Sequence, residues 1–300
     1  MDIYKQIASN NRQTFFILFL FTAVIIALTF VVTVIIEVPP EQFPAISVVV
    51  FSAVIAWTLI AYYFGAGMIT SFVGAKPVVR KEHFDLYNII ENLAITSGLP
   101  TPKAYIIQDE SLNAFATGRN PKNGIVCVTS GLLKKLNKRE LEAVIAHEMG
   151  HIANYDIRLQ LIVITVIGLI SMLGEIMMRA RGKKAGGIVL AGLFIYLIGG
   201  PLLHLIRLAL SRKREYLADA TGAFYTRDPE ALADALEKIS MDSRVESADR
   251  MNSAAHLFIA NPKNEPDEST TAKLHQESFF TRIFSTHPPI YDRIKILRGL

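Results

Sequence analysis

The chain has 300 residues, a formal net charge of +4, and 51% hydrophobic against 19% charged residues. Soluble domains carry about 25% charged residues, so this balance points to a membrane protein, and the length allows one or two domains with a real core. The basic residues are scattered or flank apolar runs, which argues against a nucleic-acid surface. Cys127 is the only cysteine, which excludes an intrachain disulfide and a cysteine-based metal site.

Residues 1–13 are polar, with Lys5 and Arg12, and no charge follows between Thr14 and Ile36. That run is long enough to cross a bilayer. It exceeds a signal-peptide core, and Glu37-Val-Pro-Pro-Glu41 is not a small-residue cleavage site, so a retained anchor is expected. Phe43 to Ala75 is again uncharged. Its first two-thirds reads as a second span, with Trp57, Tyr62 and Tyr63 near its end as interfacial aromatics. The loop between the spans holds Glu37 and Glu41, while Lys5, Arg12, Lys76, Arg80 and Lys81 lie on the opposite side. The positive-inside rule then puts both ends of this hairpin in the cytoplasm.

From Lys76 a cytoplasmic domain is expected. Phe84, Leu86, Ile89, Ile90 and Leu93 give a helical stripe over 83–98, stopped by Gly98-Leu-Pro. Strand-like runs follow at Ala104–Ile107, Ala114–Thr117 and Ile125–Thr129, separated by turn residues. They predict a small sheet. Asn113 to Thr117, with Asn113, Ala114 and Phe115 as contact residues, is the candidate exposed edge on which an extended substrate adds as a further strand.

Leu132–Leu136 and Lys138–Asn154 read as helices. The second contains His147-Glu-Met-Gly-His151. Residues four apart share a helix face, so both imidazoles reach one metal ion, and such His-rich sites favour zinc. Glu148 projects about 100° around the helix, beside the ion, where it takes a proton from the attacking water. The alternative is a structural helix with two surface histidines. Leu141, Val144, Ile145 and Ile152 argue against it, because they bury this helix, and buried imidazoles without a partner are costly. Gly150, between the histidines, lets another backbone come close.

Leu159–Met178 and Ala185–Ile206 are two more apolar runs, the first interrupted by Glu175 and the second containing His204. Arg179-Ala-Arg-Gly-Lys-Lys184 between them runs against the positive-inside tendency if both span. Either the pair spans, with the first hairpin fixing topology, or it forms a re-entrant hairpin; we take it to span. His204 reads as a packing histidine. After it comes Ser211-Arg-Lys-Arg-Glu-Tyr-Leu-Ala-Asp-Ala220. A catalytic zinc needs a third protein ligand. Glu215 and Asp219 lie one turn apart, so one can bind metal while the other holds a ligand histidine, although a solvated charged helix would look the same. Pro229–Ser240 gives one more amphipathic helix, and 241–285 is a polar loop. The chain closes on Thr286-His-Pro-Pro289 and a short helix bearing Arg293. The prolines fix the backbone after His287. His287 is a candidate oxyanion donor, and Arg293 either orients it or binds a carboxylate.

Taken together, Asn113-Ala-Phe-Ala-Thr-Gly118, HEMGH, Ser211 to Asp219 and Thr286-His-Pro-Pro289, in this order over nearly the whole chain, resemble the HtpX family of membrane zinc metalloproteases, relatives of the CAAX prenyl proteases. The resemblance implies that His147, His151 and Glu215 bind zinc, one ion per chain, and that Glu148 is the base. It further implies a cytoplasmic active site at the cell membrane and a role in membrane-protein quality control, with misfolded membrane proteins or unfolded polypeptides as substrates.

The expected fold is an α+β membrane protein, a mostly helical gluzincin-type metalloprotease domain with a small β-sheet and four hydrophobic helices. Its parts are a two-span hairpin at 1–75, a first catalytic part at 76–157, a hydrophobic hairpin at 158–208 and a second catalytic part at 209–300. The rival readings are a non-catalytic membrane adaptor with a closed four-ligand zinc and a prenyl-protein processing enzyme, for which the spans look too few.

Overall fold

The computed structural model describes residues 3–35, 37–179, 186–190, 192–193, 212–241, 258–259 and 288–300. Two long helices open it. Helix α1, Ile3–Ile35, contains no glycine or proline and stops ahead of Pro39 and Pro40, since proline cannot continue a helix. Helix α2, Phe43–Phe72, carries Pro44 in its first turn, where the missing N–H is harmless. The sequence reading ends this span about two-thirds of the way along, but the helix runs on through Gly65. A Cβ there would meet Leu161 Cδ1 at 2.8 Å, so the glycine is what lets a neighbouring helix pack against this part of α2.

A short strand β1, Lys76–Pro77, precedes helix α3, Phe84–Ser97, which Gly98 ends in the left-handed conformation at φ 68°. Strands β2, Lys103–Ile107, β3, Ala114–Thr117, and β4, Ile125–Thr129, complete a mixed sheet in the order β1-β2-β4-β3. Strand β2 runs parallel to β4 and β3 antiparallel to it, with Phe115 opposite Cys127. Alternation along the strands gives the sheet two apolar faces. Ala114, Ala116, Val126 and Val128 face one core with α3. Phe115, Ile125 and Cys127 face another, toward Ile69 and Val73.

Thr129 caps helix α4, Ser130–Lys135, and Asn137 with Glu140 forms a capping box that starts helix α5, Lys138–Ala153. Helix α5 is the centre of the larger core: Val144, Ile145, Met149 and Ile152 are all fully buried. Tyr155, at φ 59°, turns the chain sharply into helix α6, Asp156–Met178. Helices α7, Arg212–Thr226, α8, Pro229–Met241, and α9, Ile290–Leu297, follow. Helix α7 packs along α5, and α8 packs between α5 and α9.

Three of the described helices are long and apolar enough to cross a membrane, over Ala8–Val31, Pro40–Phe72 and Asp156–Met178. They pack through Ile17, Phe21 and Ile25 of α1, Val54 of α2, and Leu159, Ile162 and Val163 of α6. Their outer faces expose Phe15, Phe16, Phe19, Val48 and Phe64, a large apolar surface that suits lipid. The expected fourth hydrophobic helix, Ala185–Ile206, falls largely outside the described residues.

Candidate metal centre

Helix α5 holds His147, Glu148 and His151 at 0%, 1% and 6% exposure. The imidazole rings stand edge to face with centroids 4.8 Å apart. Helix α7 brings Glu215 and Asp219, one turn apart on one face, against them. Two glycines make the approach possible. A Cβ on Gly150 would lie 3.3 Å from the Ala218 backbone, as the sequence reading of Gly150 expects, and one on Gly222 would lie 2.9 Å from the His147 backbone nitrogen.

The outer hydrogen bonds set the ring tautomers. His147 Nδ1 lies 2.9 Å from Asp219 Oδ1, and His151 Nδ1 lies 3.0 Å from Asp156 Oδ2. An ionised carboxylate only accepts, so each Nδ1 carries the proton and each Nε2 offers a lone pair. These lone pairs converge on Glu215: His147 Nε2 is 3.9 Å from its Oε2, and His151 Nε2 is 3.6 Å from its Oε1. Ligand atoms of His147, His151 and Glu215 all lie within 4.8 Å of one another. Buried His147 Nε2 has no hydrogen-bond partner among the described residues. Acceptors facing each other in a buried space are costly unless a cation joins them. Around a tetrahedral ion with bonds of ~2.1 Å, ligand atoms sit roughly 3.4 Å apart, a little inside the separations seen.

Glu148, Glu215, Asp156 and Asp219 are buried here with Arg214 and Arg293, so the site is rich in carboxylates that need cationic partners.

Burial raises the Glu148 carboxyl to about 7, helped by the charge of Glu215 and opposed by His151, Arg293 and a hydrogen bond from the Ala116 N–H. Burial pulls His151 down, but its Asp156 hydrogen bond and the charges of Glu215, Asp156 and Glu148 raise it to about 9; without a cation its Nε2 therefore also holds a proton at neutral pH, which a bound metal ion would displace to reach the lone pair. His147 is instead lowered, by burial first and then by the nearby Arg293 and His151. Burial works to raise Asp219, yet Arg293 and His147 hold it below the usual carboxylate range. A base near neutrality beside a cluster of metal-ligating lone pairs suits water activation.

The remaining expected site residues are placed differently. Strand β3 ends the sheet, but it is not exposed: all four residues are buried. The Ala114 carbonyl accepts from the Ile259 N–H at 2.9 Å, and the Phe115 ring packs in the core against Phe258 at 5.0 Å. Asn113 is fully buried, its Oδ1 accepting from the Ala114 N–H. Arg293, read from sequence as a substrate contact, is fully buried behind the site. It does bind a carboxylate, but the chain's own: Nε and Nη2 reach the two Asp219 oxygens at 2.8 and 2.7 Å, and Nη1 lies 3.5 Å from Glu215 Oε2. His287 and His204 lie outside the described residues.

Sequence reasoning missed Asp156 and Arg214. The only available signal for Asp156 was a lone acid opening an apolar run, five residues after His151.

Helices that bring two imidazoles, a neighbouring glutamate and a distant carboxylate to one buried point, and that continue into apolar spans, define a membrane metalloprotease. The family and sequence relatives give the same answer. The model of peptidase family M48 matches residues 80–300. A protease HtpX homologue of Dictyoglomus turgidum is 39% identical, covering 98% of this chain and 94% of its own. One from Tropheryma whipplei strain Twist is 38% identical, covering 99% and 98%, and one from Thermoanaerobacter pseudethanolicus is 41% identical over 82% of each. Among solved structures, Ste24p of S. mikatae superposes with a TM-score of 0.48 at 18% identity, covering 90% of this chain and 61% of that one. The chain belongs to peptidase family M48 and, within it, to the HtpX proteases.

Proposed function

We propose that this protein is a zinc-dependent endopeptidase that cleaves misfolded or damaged membrane proteins, with His147, His151 and Glu215 as metal ligands and Glu148 as general base. The observation that carries the reading is the convergence of the two Nε2 lone pairs and the Glu215 carboxylate at one buried point. When bound, zinc supplies a Lewis acid that polarises the scissile carbonyl and lowers the pKa of water.

The chain's own residues do the rest. Asp219 and Asp156 hold the Nδ1 protons of His147 and His151, which fixes both rings with Nε2 inward. Arg293 neutralises Asp219 and keeps it ionised. Glu148 takes the proton of the attacking water and returns it to the leaving nitrogen, its burial favouring the protonated form between the two steps. Along β3, the Ala116 N–H is bonded to Glu148 and the Ala114 carbonyl also points out of the sheet. An extended substrate paired along Asn113–Thr117 would present its carbonyl beside Glu148, with Ile259 giving up its bond to Ala114. We retain His287 as oxyanion donor, a role that rests on the Thr286-His-Pro-Pro289 resemblance.

A membrane-surface location has a specific support. Asp156, the partner of His151, is the first residue of an apolar helix long enough to span. The basic residues Lys76, Arg80 and Lys81 at the start of the catalytic part favour the cytoplasmic face. Glu148→Gln tests the chemistry: it should keep zinc and lose proteolysis. The substrate preference is tested by supplying solubilised enzyme with unfolded soluble protein and with a destabilised membrane protein, and equal cleavage of the two would remove that part of the reading.

A further inference from the structure

Helix α1 is not only an anchor. On one of its faces Asn10, Thr14, Ile17, Phe21 and Ile25 are buried, and the last three pack against α6 and α2. Asn10, 1% exposed, closes the polar end of this seam. Its Nδ2 donates to the Asn154 carbonyl at 2.9 Å and to Asp156 Oδ1 at 2.7 Å. Both partners are acceptors, so the amide orientation is fixed. The other oxygen of the same carboxylate, Asp156 Oδ2, lies 3.0 Å from His151 Nδ1. Asn10, Asp156 and His151 thus form one chain of hydrogen bonds from the first apolar helix to the metal helix, across 146 residues of sequence between Asn10 and Asp156.

We propose that Asn10 is a positioning residue of the metal centre, holding the Asp156 carboxylate so that His151 keeps its Nε2 inward. A carboxylate that receives one hydrogen bond can rotate about its Cβ–Cγ bond. One bonded on both oxygens cannot do so without breaking a bond. Burying an amide in an apolar seam is costly unless its donors are used, and here both are. Nearby polar residues of α1 reach the same region. Gln13 Oε1 accepts from Arg214 Nη2 at 2.7 Å, next to Glu215, and Asn11 Oδ1 accepts from Arg158 Nη1 at 3.0 Å. Linkage is reciprocal, so metal binding would also tighten the docking of α1.

The inference rests on reading His151 as a zinc ligand, and the test separates the two. The full chain is solubilised in detergent, and its zinc affinity is measured by competition with a fluorescent chelator, with no activity assay. Removing outer partners of metal ligands typically costs 10–100-fold in affinity. Asn10→Ala and the near-isosteric Asn10→Leu, which keeps the volume and removes both donors, should each weaken zinc binding about fivefold or more, less than loss of the direct partner Asp156 would. Asn11→Ala, which cuts a neighbouring tie of the same helix, should stay within about twofold of wild type. Wild-type affinity in Asn10→Leu would overturn the proposal, because volume alone would then suffice. So would an equal loss in Asn11→Ala, which would signify general undocking. His151→Ala is the reference: if it too keeps zinc, the ligand assignment fails, whereas if it loses zinc while the Asn10 variants do not, only the role of Asn10 fails.

Discussion

Replacing Glu148 by glutamine should stabilise the zinc-stripped protein and abolish the proteolysis of the zinc-loaded one. Glu148 is 1% exposed. Burial, and then the charge of Glu215, raises its pKa from 4.5 to about 7. The folded state therefore holds this proton more tightly than the unfolded chain does. A raised pKa contributes stability that is fully present below 4.5 and is lost as pH climbs through about 7. One pKa unit is worth about 1.4 kcal/mol, so the climb amounts to roughly 3 kcal/mol. Glutamine keeps the shape and has no charge to bury. Thermal or denaturant melts of both proteins in excess chelator, from pH 4 to pH 8, read this directly. The two should be close at pH 4 and diverge above pH 5, with the variant more stable by roughly 3 kcal/mol at pH 8. The remaining ionisable groups are common to both proteins and cancel to first order. Parallel curves across the range would refute the argument that Glu148 is a strained, desolvated base.

Other outcomes follow from the same geometry. Arg293→Leu leaves Asp219 buried without its bidentate partner, and breaking such a buried pair costs about 3–5 kcal/mol; melts of the variant against wild type check this, and a loss under 1 kcal/mol would place the neutralising charge elsewhere. Gly222→Val puts a side chain into the 2.9 Å gap at the His147 backbone, and should part α5 from α7 and weaken chelator-measured zinc affinity, whereas Gly67→Val, where a Cβ meets nothing within 4 Å, should leave that affinity unchanged. Cys127 is fully buried in β4 and burial raises its thiol well above the usual range, so a thiol reagent should label it only on unfolding; rapid labelling of the native protein would show the sheet open.

Much of this was legible because it is local. Helix α3 and its Gly98 stop, the β2, β3 and β4 segments and the HExxH helix each follow from periodicity or turn chemistry within a short window. Glu215 and Asp219 were legible as a pair one turn apart, but their roles were not, because proximity to α5 is a matter of packing. The glycine gaps at Gly150 and Gly222 create that proximity, and only the first lies inside a motif. Asp156 and Asn10 left almost no trace, since each acts through a contact made after a left-handed turn at Tyr155 or across the membrane bundle. Arg293 was legible as a carboxylate binder but its partner was not: Asp219, which accepts two of its hydrogen bonds, lies 74 residues away. Strand β1 has two residues, too few for any alternation to show.

The central claim is that a carboxylate on α7 completes a metal site begun on α5. Zinc content after dialysis against a chelator of moderate affinity, measured by elemental analysis on wild type, Glu215→Ala and the exposed control Glu175→Ala, tests it most directly. The account predicts about one zinc per chain in wild type and in the control, and little in Glu215→Ala, as expected for a catalytic site held by three protein ligands. Full zinc retention in Glu215→Ala would contradict it.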